Sequence, residues 1–138
     1  MKNKKIVFTN GVFDIIHKGH IASLNEAASY GDMLIVGVNA DASVKRLKGD
    51  SRPVNEEDAR ALVLASLLQT DAVIIFSEDT PLELIKQLMP DVLVKGGDYT
   101  VEQIAGAKEV IAAGGEVKIA KIVEGISTTG IIAKMKGS

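Results

Sequence analysis

The two histidines of this 138-residue chain fall within four positions, His17-Lys18-Gly19-His20. They follow a short apolar run and the polar turn Thr9-Asn10-Gly11, and an amphipathic stretch begins at His20. Two imidazoles and a lysine therefore sit between a strand and the start of a helix, where free amide groups and the helix dipole favour an anion. Gly19 between them lets a phosphate approach the backbone. One alternative is a pair of exposed, idle histidines, and another is a zinc pair. The zinc reading is poor, because the chain has no H-E-x-x-H, no cysteine and no third histidine, so carboxylates would have to supply every other ligand. The favoured chemistry is phosphate binding.

Three further clusters follow later apolar runs. The stretch from Asn39 and Asp41 to Arg52 holds Lys45, Arg46, Lys48 and Arg52 against one acid between Lys45 and Arg52, in a chain of net charge −2. By itself this is as readily a solvated helix face as a polyphosphate site. Lys95-Gly96-Gly97-Asp98-Tyr99 carries two glycines that either make a turn or permit backbone contact with a ligand. Glu124-Gly125-Ile126-Ser127-Thr128-Thr129 offers either an ordinary N-cap at Ser127 or three hydroxyls at a phosphate site. Neither G-x-x-x-x-G-K-[ST] nor G-x-G-x-x-G occurs, so the chain is neither a P-loop protein nor a dinucleotide-fingerprint protein.

The elements that must position these clusters alternate between short β-rich runs and longer amphipathic ones. Lys4 to Thr9, Asp32 to Asn39, Asp71 to Phe76, Asp91 to Lys95 and Glu116 to Val123 read as strands, near-continuous in Val, Ile and Leu. His20 to Tyr30 and Asn55 to Gln69 read as helices, the first placing Ile21, Leu24 and Ala27/Ala28 on one face, the second Ala59, Leu62, Val63 and Leu67. Thr80-Pro81-Leu82-Glu83 predicts a capped helix running to about Met89. Another starts near Val101 and stops at Gly114-Gly115. This pattern predicts one α/β domain over residues 1–138, a Rossmann-like, doubly wound, five-stranded and mainly parallel sheet with helices on both faces. In such sheets ligands bind beyond the carboxyl ends of the strands, which is where all four clusters fall.

Composition bounds the partners. Apolar residues make up 46% and charged residues 25%, enough for a packed core. Sixteen Lys and Arg against eighteen Asp and Glu argue against general binding to nucleic acid or an anionic membrane. No apolar run approaches the roughly 18 residues of a membrane helix, and the N-terminal run is too short for a secretory signal, so a cytoplasmic protein is expected. The cations that matter would be local: His17, Lys18, His20, Lys45 and Lys95 on one sheet edge.

The H-x-G-H at His17 to His20, the Lys of Ser43-Val44-Lys45-Arg46 and the I-S-T-T at Ile126 to Thr129 resemble the nucleotidyltransferase superfamily, which includes small cytidylyltransferases and pantetheine-phosphate adenylyltransferase. Phe8 to Gly11, Asn39 to Gly49, Arg52-Pro53-Val54, Asp79-Thr80-Pro81, Pro90 to Tyr99 and Val123-Glu124-Gly125 resemble, more narrowly, the D-glycero-β-D-manno-heptose 1-phosphate adenylyltransferases. That family often forms the C-terminal half of a protein with a sugar kinase, and this chain looks like its stand-alone form. Glycerol-3-phosphate cytidylyltransferases carry an Arg where this chain has Ile122, which weakens a cytidylyltransferase reading.

The resemblance implies transfer of AMP from ATP to a sugar 1-phosphate, with magnesium on the triphosphate. It implies catalytic roles for His17, His20 and Lys45. It implies nucleotide contacts from Thr9, Asn10, Gly11, Phe13, Gly19, Lys95, Gly96, Asp98, Ser127, Thr128 and Thr129, and sugar-phosphate contacts from Asn39, Asp41 and Arg52. A homo-oligomer is implied as well. Two other functions are a cytidylyltransferase acting on a polyol phosphate and a non-catalytic nucleotide-sensing module. A response-regulator module fits poorly, because Thr9-Asn10-Gly11 and Ser77-Glu78-Asp79 lack its acidic pair and phosphoacceptor.

Overall fold

The computed structural model describes residues 4–97, 99–120, 131, 132 and 134. Five strands, β1 (Ile6–Gly11), β2 (Met33–Asn39), β3 (Ala72–Phe76), β4 (Val92–Gly96) and β5 (Glu116–Ala120), form one sheet in the order β3-β2-β1-β4-β5. Every pairing is parallel, so the expected mainly parallel sheet is wholly parallel over the described residues. The helices are α1 (Lys18–Ala28), α2 (Asp41–Lys48), α3 (Glu57–Ala65), α4 (Leu82–Leu88) and α5 (Ala107–Ala112). The chain winds outward in one direction through β2 and β3 and in the other through β4 and β5. The switch point therefore lies between β1 and β4.

The strands are buried on both faces because alternate residues enter two separate cores. Val7, Leu34, Val36, Val92 and Val94 pack with Leu24 and Ala27 of α1 and Leu64 of α3. Phe8, Ile35 and Leu93 pack on the other face with Ile85 of α4 and Ala107 and Val110 of α5. Three aspartates set the amino edge. Asp32 Oδ2 accepts from Lys5 N, Asp71 Oδ2 from Leu34 N and Asp91 Oδ2 from Ile6 N, each at 2.8 Å. The sequence pattern put these aspartates inside β2, β3 and β4. They stand just before the strands and use their carboxylates to pair the first free amides of the neighbours.

Three helix expectations are corrected. On α3 the buried residues are Arg60 and Leu64, whereas Leu62 is 68% and Val63 46% exposed, and Ala59 is exposed too. The sheet-facing stripe is thus one residue out of phase with the expected apolar one. The helix expected from Val101 is interrupted: a 3-10 turn, Val101–Gln103, precedes α5, and Gly106 between them has φ +86°. A Cβ there would meet Ile85 Cδ1 at 2.7 Å, so close packing on α4 as well as backbone conformation requires glycine. Gly114, with φ +90°, ends α5 as expected. At α4 the residue flanking the first turn is Pro81 rather than Thr80, whose Oγ1 lies 3.5 Å from Leu82 N. The expected end of the last strand, residues 121–123, and the N-cap at Ser127 lie outside the described residues.

The displaced α3 stripe has a purpose. The Arg60 side chain is fully buried, and its guanidinium donates to Val12 O at 2.8 Å, Asn39 O at 2.7 Å, Asn55 O at 3.0 Å and Asp41 Oδ1 at 2.7 Å. One cation ties the loop after β1, the end of β2, the start of α2 and the turn before α3. Removing one partner of a buried ion pair costs about 3–5 kcal/mol, and here three carbonyls lose their donor as well. Arg60→Ala should therefore lower unfolding free energy in urea by at least about 3 kcal/mol. A loss below about 1 kcal/mol would show that the loops hold without it.

Candidate active site

A cavity of about 710 Å³ opens at the carboxyl edge of the sheet, and its wall draws on the segments following β1, β2, β3 and β4. Of the residues expected there, Asn10, Gly11, Phe13, His17, Gly19, His20, Asn39, Arg52, Lys95 and Gly96 line it. Asp98, Ser127, Thr128 and Thr129 lie outside the described residues.

The histidines are organised by each other. His17 is the N-cap of α1: its Nδ1 accepts from Gly19 N at 3.1 Å, while its own N–H donates to His20 Nδ1 at 3.2 Å. The pair forms a capping box in which imidazoles replace the usual hydroxyl and carboxylate. The rings stack, with centroids 3.9 Å apart. An accepting Nδ1 carries no proton, so each neutral ring bears its hydrogen on Nε2. The Gly19 amide, expected to face a phosphate, is engaged by this cap. Burial, followed by the repulsion of His17, pushes His20 down to about 4, and burial lowers His17 as well. Both imidazoles are neutral donors at pH 7, which corrects the expectation of a histidine contribution to local positive charge.

Phe13 helps to create this environment. Its φ is +51°, a conformation uncommon for a bulky residue, and its ring lies against Gly11 and 5.3 Å from the His20 ring. A Cβ on Gly11 would stand 3.0 Å from the Phe13 ring, so this glycine is needed for close approach.

The positive charge comes from lysines. Lys95, at the end of β4, is driven below its usual value by burial and then by the nearby Lys48. Among the described residues neither lysine has a carboxylate partner within ion-pair distance, although the Lys95 ammonium lies 5.2 Å from the centre of the Tyr99 ring. Two facing cations without a counter-charge make a site for an anion, whose binding would relieve their repulsion. Lys48, which the sequence offers only as one member of the basic cluster, lies on the wall. Lys45 is exposed, does not line the cavity and belongs to the preceding turn of α2.

Other expected residues serve the frame. Thr9 Oγ1 donates to Val94 O at 2.9 Å, stitching β1 to β4 at the switch point and leaving Thr9 off the wall. Asp41 is off the wall too, paired with Arg60. The Asn39 side chain donates to Ser43 Oγ at 3.2 Å. Arg52 lines the cavity, but its Nε donates to Asp14 Oδ2 at 3.0 Å. Asp14, missed from sequence, also accepts from the Val54 and Asn55 amides, each as close as 2.8 Å. Burial would raise its pKa, and these hydrogen bonds together with Arg52 outweigh that and lower it. The one sequence hint was an acid standing in an otherwise apolar stretch, Val12-Phe13-Asp14-Ile15-Ile16.

The histidine cap has a measurable consequence. Imidazole NMR should show Nε2–H tautomers for both rings, with His20 titrating near 4 rather than the usual 6.5. A lowered folded-state pKa means that the unfolded chain binds the proton first. Stability is therefore expected to fall as pH drops from about 6.5 towards about 4. Midpoints at or above 6.5 for both rings would contradict the cap.

Bifunctional protein HldE of Vibrio vulnificus (strain YJ016) is 61% identical over 136 residues, covering 99% of this chain and 29% of HldE. HldE of Vibrio cholerae (strain O395) is 60% identical with the same coverage. The chain thus spans under a third of the length of these relatives. A lipopolysaccharide core biosynthesis protein from Thermoplasma volcanium superposes with a TM-score of 0.69 at 31% identity, covering 88% of this chain and 98% of that one. Pantoate-beta-alanine ligase from Francisella tularensis shares the fold, with a TM-score of 0.64 at 18% identity over 99% of this chain and 70% of the ligase. The family model described as cytidylyltransferase-like matches residues 8–134, and with His17, His20 and the lysine-lined cavity all inside that span, the chain belongs to the cytidylyltransferase-like family.

Proposed function

We propose that this domain is an adenylyltransferase that joins AMP from ATP to D-glycero-β-D-manno-heptose 1-phosphate, giving ADP-heptose and pyrophosphate. The observation that carries the reading is the pairing of two neutral Nε2–H donors with two uncompensated lysines around one cavity at the switch point. Similarity to the HldE proteins, and to a protein described as acting in lipopolysaccharide core biosynthesis, supports heptose as the sugar and such a glycan as the destination. ATP and a sugar phosphate as substrates make the cytoplasm the natural compartment.

A sugar-phosphate oxygen attacks the α-phosphorus of ATP, a new P–O bond forms, and the bond from that phosphorus to the bridging oxygen breaks as pyrophosphate leaves. A phosphate monoester has a second pKa of about 6, so the nucleophile is already largely ionised at neutral pH and no base is required. Catalysis then consists of holding reactants in line and stabilising charge on the phosphates. His17 and His20 donate through Nε2 to the α- and β-phosphate oxygens, each such donor contributing about 3–4 kcal/mol. Lys48 and Lys95 hold the triphosphate in the ground state. Lys45, exposed on the preceding turn of α2, swings in as charge moves to the leaving group. Asn10, Gly11 and Phe13 shape the phosphate floor, and Gly96 with Asp98 borders the base or ribose. Ser127, Thr128 and Thr129 reach the phosphates, and Asn39 and Arg52 border the sugar phosphate. Thr9 and Asp41, although implied as contacts, act through the backbone frame they pin.

Magnesium accompanies the triphosphate. Among the described residues no three acidic or histidine side chains converge on one point, so phosphate oxygens and water would complete its shell. The homo-oligomer implied by the resemblance is read by light scattering.

Pyrophosphate release should be fastest with ATP and heptose 1-phosphate in a panel of ATP and CTP against heptose, hexose and polyol phosphates. A CTP preference with glycerol 3-phosphate would move the domain to polyol-phosphate cytidylyl transfer. Tight ATP binding without pyrophosphate release would mark a nucleotide sensor. His17→Ala or His20→Ala should lower kcat by about a hundredfold or more. Lys48→Ala should raise KM for ATP, whereas Lys45→Ala should lower kcat more than tenfold at unchanged KM, and a pure binding defect would remove Lys45 from the transition state.

A further inference from the structure

The cavity has two unlike wings. On the β4 side its wall presents Lys95, the Gly96-Gly97 backbone and the Tyr99 ring, suited to phosphates and a flat base. On the β3 side it presents Asp79, Thr80 and Pro81 with Leu47. We infer that the β3 wing is the acceptor subsite, binding the polyol body of a sugar phosphate through Asp79 and Thr80; this rests on the adenylyltransferase reading.

Charge argues for the assignment. A carboxylate on a cavity wall repels a triphosphate but is a good double acceptor for the hydroxyls of a sugar. Asp79 is held for that task from outside the cavity: Arg46 Nε donates to Asp79 Oδ1 at 2.8 Å while Arg46 Nη2 donates to Ser77 O, and Arg46 itself does not line the wall. The second oxygen, Oδ2, has no hydrogen-bond donor among the described residues. Thr80 Oγ1 accepts at most the long 3.5 Å contact from Leu82 N, leaving its O–H to donate. Leu47, 53% exposed, and the buried Pro81 supply apolar surface for the C–H face of a sugar ring. Distance argues for it too. The β3 exit is two strands from β1, about 10 Å at normal sheet spacing, so a sugar ring on Asp79 would direct its phosphate toward the histidines.

The test combines binding and turnover. In the full chain with α,β-methylene-ATP, glucose 1-phosphate and heptose 1-phosphate are titrated and followed by amide NMR, with methyl phosphate as the acceptor that lacks a polyol. The sugar phosphates should shift the amides of residues 77–80 and 82, and methyl phosphate should leave them unmoved. Asp79→Ala should weaken sugar-phosphate binding at least tenfold and bring it level with methyl phosphate, with ATP affinity unchanged. Thr80→Val should act in the same direction. Arg46→Lys, which keeps a cation beside Asp79, should retain most of the binding. Unchanged sugar affinity in Asp79→Ala, or equal losses for sugar phosphate and methyl phosphate, would overturn the subsite. Sugar binding that depends on Asp79 without any pyrophosphate release would instead overturn the adenylyltransferase reading and leave the subsite standing.

Discussion

The carboxyl edge of this sheet depends on the buried guanidinium of Arg60. Four segments that would otherwise present unpaired carbonyls and a carboxylate to a dry interior converge on its donors. A planar fork of fixed N–H directions can satisfy such partners only in one arrangement, so Arg60 sets the relative heights of the β1 loop and α2 as it neutralises Asp41. Asp14 does the complementary work with a negative charge, drawing Arg52 and the Val54 and Asn55 amides against the same loop. One buried ion of each sign brackets the cavity, and the residues that face a ligand stand between them.

That division leaves the cavity itself unbalanced. Among the described residues, the acids Asp14, Asp41 and Asp79 that line or border it are committed to arginines, Asp14 to Arg52, Asp41 to Arg60, and Asp79, through one of its oxygens, to Arg46. Among the described residues the cavity lysines Lys48 and Lys95 have no such partners, and burial, joined at His20 by the repulsion of His17, keeps the histidines neutral. A chain with a net charge of −2 thus assembles a local excess of positive charge by pairing acid with arginine and leaving lysine over. Arginine holds the frame through directional forks, while lysine offers a mobile point charge to phosphate.

Much of the architecture was legible because it follows from periodicity. Strand positions, the winding of the sheet and the gathering of His17, Lys95 and their neighbours at one edge all follow from apolar runs separated by amphipathic stretches. What escaped was side-chain commitment. Thr9 and Asp41 have residue types suited to ligand contact, but tertiary neighbours 85 and 19 positions away in sequence engage them. Lys45 and Lys48 are separated only by where α2 ends relative to β4, which no local pattern encodes. On α3 the apolar residues Leu62 and Val63 misled the phase, since the helix turns its single arginine inward. A buried cation looks like a surface residue until its acceptors, three of the four at least 19 positions away, are in place.

The three aspartates at the opposite edge give the sheet a common baseline. Because Asp32, Asp71 and Asp91 clamp amides at the starts of β1 and β2, the length of those two strands sets how far their loops stand above that line. Losing one residue within a strand would lower its loop by about 3.3 Å and turn every later side chain of that strand to the other face. Adding residues to a loop would leave the floor of the cavity untouched. Such a fold can vary the molecule it accepts through its loops while the phosphate-handling floor keeps its geometry.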